Sequence, residues 1–386
     1  FRAAAGRPAE ARGGGGFRIV PTRFVIDKLV PGASRFAILR PRRARPGLCC
    51  QRARARYHCG TTPARPAGRI DAPPSASGCL GMSDWKRESA LMRIKSALGE
   101  DTLIPVGFHG HEEIGRPFDF HVSVVSKRHD IDADELLHKP MSVSLRHNGE
   151  AVRHFHGLVH SFARSGKAGA QRLSRYDIQL VPGMWFMGQT ADCRIFEEMS
   201  TTDIVRKLAQ EAGIQAPVFR LQNTHKVRPY TTQYNESDLA FATRLLQEEG
   251  AYYFFEHTES AHDWIIADHN GAFKAQPGKS LRFDAHHHDD EILTDWRRWS
   301  ATVAGKSKLI DYDPEKPNDP VEGEQATVLK ADGTSSRDVT HWPALTYDVA
   351  GARSRARFRL EAEEAWVATV QGGGRNRAFV PGTTFT

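Results

Sequence analysis

The chain has little of what marks a membrane protein, a disulfide-stapled domain or a familiar enzyme. No apolar run reaches transmembrane length. The nearest candidate, Phe24 to Leu39, is broken by Asp27, Lys28, Pro31 and Arg35, which makes a bilayer span costly. No apolar leader follows Met82. Of five cysteines, four (Cys49, Cys50, Cys59 and Cys79) fall in the first eighty residues and leave Cys193 alone in the rest. That excludes a disulfide framework for the main body and fits a reducing compartment. The Gly-Lys-Ser at Gly278 to Ser280 lacks the glycine five positions earlier, where Phe273 stands, so it is no phosphate loop. His111 and Glu112 begin like a zinc-protease helix, but the second histidine ligand is replaced by Gly115. No Gly-x-Ser-x-Gly elbow occurs. Neither a catalytic residue nor a cofactor is assigned, and the chain is not expected to be an enzyme.

Two weaker constellations remain. His286, His287, His288, Asp289, Asp290 and Glu291 combine imidazole and carboxylate as a divalent ion prefers. Adjacent strand residues point to opposite faces, however, so a tight site needs a looped backbone; a solvated loop is the competing reading. Cys193 lies in a strand-like run beside Arg194 with no base placed near it, so a buried structural thiol is expected there rather than a nucleophile.

Charge divides the chain unevenly. The first eighty residues hold fifteen Arg and one Lys against three acids, a balance of +13, and the formal total of +7 therefore leaves −6 for the remainder. Residues 1–81 are rich in Arg, Ala, Gly and Pro and show no hydrophobic period, which argues against a packed domain. A basic arm for nucleic acid or acidic lipid is one reading. Translation of upstream sequence from a GC-rich genome, with Met82 as the natural start, is the reading adopted, and no nucleic-acid partner is expected.

Beyond Met82 the composition becomes ordinary, and about 300 residues suffice for a sizeable core in two subdomains. A helix is expected within residues 82–102, over Ser83 to Gly99, with Leu91, Ile94 and Leu98 on one side. From Leu103 alternation dominates: Phe118, Phe120, Val122 and Val124 share one strand face, Val143 and Leu145 another. A short helix at Asp132 to His138 interrupts the strands. Ser200 and Asp203 open a second helix with a stripe of Ile204, Val205, Leu208, Ala209 and Ala212 that ends at Gly213. Strands resume at Trp264 to Ala267. The fold class expected is mainly β (α+β), an antiparallel barrel or sandwich with inserted helices.

The densest information lies between Tyr230 and His257. Asn235 is positioned to cap a helix with Asp238 as reciprocal partner, and Leu239, Ala242, Leu245 and Leu246 form its apolar stripe. Gly250 ends it, and Ala251 to Phe255 form an aromatic strand closed by Glu256 and His257. Tyr252, Tyr253 and Phe254 alternate across that strand, so one set could pack inward and the other meet a neighbouring chain. The string QYNESDLAFATRLLQEEGAYYFFEH closely resembles the signature of the VgrG family, the valine-glycine-repeat spike proteins of type VI secretion, themselves similar to the hubs of contractile phage tails. Gln233, Tyr234, Glu236, Ser237, Asp238, Arg244, Leu245, Glu248, Glu249, Gly250, Tyr253, Phe254, Glu256 and His257 carry it as structural, not catalytic, residues. Phe108 to Phe120, His154 to Phe162, Tyr176 to Phe186, Asp192 to Phe196 and Asp311 to Pro317 resemble the same family in the same order.

The resemblance spans about residues 103–386 and implies a phage tail hub-like region of two interleaved barrel-like domains. It implies a homotrimer that docks on a hexameric secretion tube, carries effectors or adaptors, and meets a target membrane on firing. Such a protein is cytoplasmic when assembled and secreted through the apparatus. Alternation is still in progress from Arg375 to Phe385, so the hub is expected to be incomplete and to lack the family's needle. A baseplate hub from a prophage and a metal-dependent enzyme using His286 to Glu291 are the alternatives.

Overall fold

The computed structural model describes residues 23–30, 33–37 and 90–384, apart from 148–149, 169–172, 277–281, 285–291, 330–335, 347 and 375; for 23–37 it describes the backbone alone. All the strands and helices below belong to one of two compact units, formed by residues 1–39 and 91–386.

Eight antiparallel strands make the main sheet: β1 (Arg23–Val30), β2 (Ala33–Ala37), β3 (Met92–Lys95), β4 (Ile104–Glu113), β5 (Arg116–Ser126), β6 (Pro140–His147), β7 (Glu150–Ala168) and β8 (Leu173–Val181), in the order β2-β1-β4-β5-β8-β7-β6-β3. The alternation read in the sequence is the cause. Phe118, Phe120, Val122 and Val124 of β5 are buried, the last three opposite Leu180, Ile178 and Tyr176 of β8 in register, while Val143 and Leu145 of β6 are buried in the same core. The sheet curls until β3 approaches β4, the barrel-like shape expected.

The chain then runs through β9 (Ala191–Ser200), α1 (Thr201–Glu211), β10 (Val218–Arg220), β11 (Val227–Ser237), α2 (Asp238–Glu248), β12 (Tyr252–His257) and β13 (His262–Ala267). Ser200 caps α1 by accepting from the Asp203 N–H at 3.2 Å. Ile204, Val205, Leu208 and Ala209 bury against the curled sheet, whereas Ala212 is the exposed C-cap. β9 and β11 form a two-stranded ribbon, and β12 lies antiparallel to β13.

A second β-rich region follows: β14 (Lys274–Ala275), β15 (Arg282–Phe283), β16 (Ile292–Ser300), β17 (Lys306–Asp311), β18 (Val321–Ala326), β19 (Asp338–His341), α3 (Val349–Glu364), β20 (Ala368–Gly374) and β21 (Thr383–Thr384). Helix α3 lays Ala352 and Ala356 on Leu309 and Val321 of the β18-β17-β19 sheet. A methyl at Gly323 would lie 2.2 Å from the backbone of Ala352, so the helix approaches this closely only because glycine stands there. No helix among the described residues is long and apolar enough to cross a membrane.

Two expectations are corrected, and a third falls mostly outside the described residues. The helix expected within 82–102 is instead, where described, the strand Met92–Lys95: Met92 and Ile94 alternate inward and pair with Leu145 and Val143. The segment Leu91 to Lys95 satisfies both periods, and the open edge of β6 offers the backbone hydrogen bonds that decide for the strand. Within residues 1–81, β1 pairs with β4 and β2 with β1; everything else there lies outside the described residues. The short helix at Asp132 to His138 contracts to a single 3-10 turn, Ala133–Glu135, although Ile131 and Leu136 do face inward.

Candidate functional site

The resemblance-bearing residues come together at the corner where β11, α2 and β12 meet. Ser237 caps α2 by accepting from the Ala240 N–H at 3.2 Å. Asn235, the expected cap, stands two residues earlier in left-handed backbone (φ 48°), inside a bulge between Tyr234 and Glu236. The bulge swings the chain so that Ser237 arrives at the helix start.

Asp238 is occupied elsewhere than in a capping box. Its carboxylate accepts from Thr190 Oγ1, Gln233 Nε2 and Arg194 Nη2, each at 2.8 Å. Gln233 is fully buried, and its Oε1 takes the Nε–H of Arg194 at 2.8 Å. Arg194 reaches on to Glu211 of α1 at 2.6 Å. One guanidinium thereby joins β9, β11, α1 and α2, and every polar atom it meets inside the corner is paired.

At the other end of α2 the pattern repeats with more charge. Arg244 forks onto Glu236 at 2.6 and 3.2 Å and reaches Glu248 at 3.0 Å. Glu248 also accepts from Arg228 at 2.8 Å and lies 3.5 Å from Arg355 of α3. Glu249 accepts from Arg228 at 2.6 Å and lies 3.2 Å from His225 Nδ1. Burial pushes the Glu249 carboxyl up, but His225 and Arg228 outweigh it and hold its pKa at about 2. The hydrogen bond to Glu249 in turn raises His225 above its ordinary value despite partial burial. Gly250 follows at φ 70°, with the Phe358 ring where a Cβ would go.

Leu245 of α2 and, beyond Gly250, Tyr253 and Phe255 enter the main core, while Phe254 packs on the other face against Phe273 and Ile265. Both faces of β12 are therefore covered within the chain, which corrects the expectation that one set of its aromatics could meet a neighbour. Burial raises the Tyr253 phenol well above its ordinary range. Glu256 forks with Arg220 at 2.7 and 2.8 Å and takes Lys274 at 2.9 Å. His257 Nε2 lies 3.2 Å from Glu112, whose carboxylate also pairs with the buried Arg153. Arg153 stacks over Phe155 and donates to the Phe379 carbonyl, tying β7 to the C-terminal region. Burial raises the Glu112 carboxyl, and Arg153 and His257 more than reverse it.

These arginine partners were invisible in the sequence. Arg194 and Asp238 are 44 residues apart, and Arg153 and Glu112 are 41 apart, so no local spacing announces them. Tyr234, by contrast, is 78% exposed and joins none of these networks among the described residues. Cys193 is exposed too, its sulfur accepting the Asn235 N–H at 3.2 Å, which corrects the buried thiol expected.

A shallow groove of about 420 Å³ runs between the β4–β5 turn and α2, past Gly115, Pro117, Thr243, Arg244, Gln247 and Tyr253. Arg244 is its one charged lining group and is already spent on two carboxylates, so the groove holds no acid–base pair. Among the described residues no three His, Cys, Asp or Glu side chains converge as metal ligands. His286 to Glu291 and Gly278 to Ser280 lie outside the described residues.

Known proteins share this build. The phage tail baseplate hub (GPD) family matches residues 111–386. The type VI secretion system spike protein VgrG1b of Pseudomonas aeruginosa is 29% identical over 303 residues, covering 78% of this chain and 40% of that protein. VgrG4b of the same organism is 36% identical over 268 residues, covering 67% and 31%. The chain spans less than half the length of these curated relatives. In fold it is similar to the E. coli c3393 protein, a component of the type VI secretion system with structural similarity to the T4 bacteriophage tail proteins gp27 and gp5. The TM-score is 0.53 at 19% identity, over 75% of this chain and 65% of that one. With residues 111–386 matched and the corner in place, the chain belongs to the phage tail baseplate hub family and is similar to the VgrG spike proteins of type VI secretion.

Proposed function

We propose that this chain acts as the hub portion of a type VI secretion spike. Three copies form a homotrimer that seats on the hexameric secretion tube, is assembled in the cytoplasm, and is carried outward on firing to breach a target membrane and deliver effectors or adaptors. One observation carries the reading: the residues that most resemble the spike family are spent on capping, core packing and charged networks that bind four or five elements into one rigid corner. A part that transmits force needs rigidity and large interfaces more than a reactive pocket.

The family's description as a phage tail baseplate hub favours a second reading, a baseplate hub of a contractile tail encoded by a prophage. Light scattering on the purified chain, followed by capture of purified tube proteins, tests both. The first reading expects a trimer that retains the hexameric tube protein of a secretion system. Retention of a phage tail-tube protein alone would favour the second, and a monomer at every concentration would refute the trimer. Metal analysis of the same sample addresses the enzyme alternative, which requires stoichiometric divalent metal lost on His286→Ala.

A further inference from the structure

A ring of three identical chains is closed by one heterologous contact repeated three times, in which one face of each chain meets a different face of the next. The inference that follows rests on the homotrimer reading above. It asks for two unlike faces that are exposed, partly apolar and opposite in charge, and the described residues supply them.

The first is the outer face of the β9–β11 ribbon. Phe196, Thr231 and Gln233 turn inward and are buried, so their alternating neighbours turn outward. Tyr230, Tyr234 and Ile195 are 59%, 78% and 52% exposed. Register sets Tyr230 against Glu197, Thr232 against Ile195 and Tyr234 against Cys193, so the tyrosines flank a small apolar patch with a carboxylate at one end. Glu197 has no ion-pair partner among the described residues. Glu198 adds negative charge nearby, and the ribbon's two arginines are engaged elsewhere, Arg194 with Asp192, Gln233 and Asp238 and Arg228 with Glu248 and Glu249.

The second is the β16–β20 pair. Trp296 and Arg298 stand two residues apart and share a face. Trp296 is 41% exposed and rests over Gly372, while Arg298 lies opposite Val370. Arg298 has no carboxylate partner among the described residues. On the reverse face the Arg297 guanidinium stacks over Trp299, 5.8 Å from the ring centroid.

We propose that the ribbon face of one copy docks on the Trp296–Arg298 face of the next, with Glu197 meeting Arg298 and the two tyrosines packing on Trp296. Charge complementarity selects the unlike face of a second copy as the occupant: pairing either face with its own copy would set Glu197 on Glu197 or Arg298 on Arg298. Tyrosine, tryptophan and arginine are also the residue types that anchor protein interfaces. A contact between two unlike faces can repeat from copy to copy and close a three-membered ring.

Charge reversal on the full chain decides it. Glu197→Arg and Arg298→Glu should each weaken trimer formation by about tenfold or more, read as the concentration at which the light-scattering mass halves its climb from one chain to three. The double reversal Glu197→Arg with Arg298→Glu should restore wild-type association. Both side chains are exposed, so circular dichroism melts of all variants should coincide. If the wild type is a trimer and the single reversals leave it unchanged, this docking surface is wrong and the homotrimer reading stands. A failure of the double reversal to restore association beyond either single also overturns the pairing. If the wild type stays monomeric throughout, both fall together.

Discussion

Acid should loosen this hub through two histidines that the fold accepts only as neutral rings. The Gly183 N–H donates to His262 Nε2 at 3.1 Å, which leaves the His262 proton on Nδ1. That proton points to His156 Nδ1 at 2.9 Å and in turn leaves the His156 proton on Nε2. A second proton on either ring therefore breaks a hydrogen bond. The surroundings offer no relief: His257 of β12 stands beside both rings, and the nearby Glu112 is already engaged by Arg153 and His257. Burial, followed by the charge of His257, pushes His156 down to about 4; burial, followed by His257 and His156, pushes His262 down to about 3. Both titrate lower in the folded chain than in the unfolded one, so the unfolded chain binds more protons below pH 6.5. Stability is therefore full above pH 6.5 and is lost as pH falls toward the folded values. Between pH 6.5 and 5 a fully buried ring would cost about 2 kcal/mol, at 1.36 kcal/mol per pH unit. His262 retains partial solvent access, so the pair together should cost about 2 kcal/mol. Glu112 and Glu249, held low, begin to matter only nearer their unfolded range, and His225, raised, acts above this window. Urea unfolding at pH 6.5 and pH 5, at one protein concentration, measures the loss. His262→Gln keeps an acceptor for Gly183 and removes a titrating group, so it should lose markedly less stability over the same interval. Equal losses in wild type and His262→Gln would refute the argument.

Two further outcomes follow from single positions. Gly250→Ala should lower stability by about 1–3 kcal/mol in thermal melts, because the residue has φ 70° and its new methyl would lie 2.6 Å from the Phe358 ring; a neutral change would mean α3 does not pack there as described. With Cys49, Cys50, Cys59 and Cys79 replaced by Ser, Cys193 should react stoichiometrically with an aromatic disulfide reagent in the native state, whereas reaction only on unfolding would return it to the interior.

The fold was largely legible because its strongest signals are local. Phe118 to Val124 announce a strand by alternation alone, and Ser200 with Ile204 to Ala209 announce a capped amphipathic helix. Misreadings arose where two periods coexist, as at Leu91 to Lys95, or where a bulge shifts the boundary, as at Asn235. The candidate site was legible as a place and not as a mechanism. Its helix, glycine stop and aromatic strand are contiguous in sequence, whereas Arg153, Arg194, Arg228 and Arg355 reach it from distant elements, and only tertiary packing brings a guanidinium to a given carboxylate. Exposure was the least readable property. Cys193 sits on the outward side of a ribbon because Phe196 and Gln233 take the inward side, and that choice depends on where α1 and α2 lie.

Glu248 shows what the corner's charge accomplishes. Its carboxylate receives Arg244 from its own helix, Arg228 from β11 and Arg355 from α3, the last also donating to the Ala344 carbonyl at 2.8 Å. Burial lowers the Arg355 pKa and Arg228 adds repulsion, so two guanidiniums sit close together only while Glu248 and Glu249 offset them. Glu248→Gln keeps the shape and removes half of that compensation, leaving the arginines to repel across a half-closed space. The expected loss is about 2 kcal/mol, below the cost of stripping a fully buried pair because Glu248 and Arg228 each keep some solvent contact. Arg355→Met alone should cost less, since Glu248 retains two other donors. Combined with Glu248→Gln it should be less than additive, with a coupling of about 1 kcal/mol in a double-mutant cycle. Strict additivity would mean that α3 is held to the corner by Phe358 on Gly250 and by Ala352 on Gly323, with no contribution from charge.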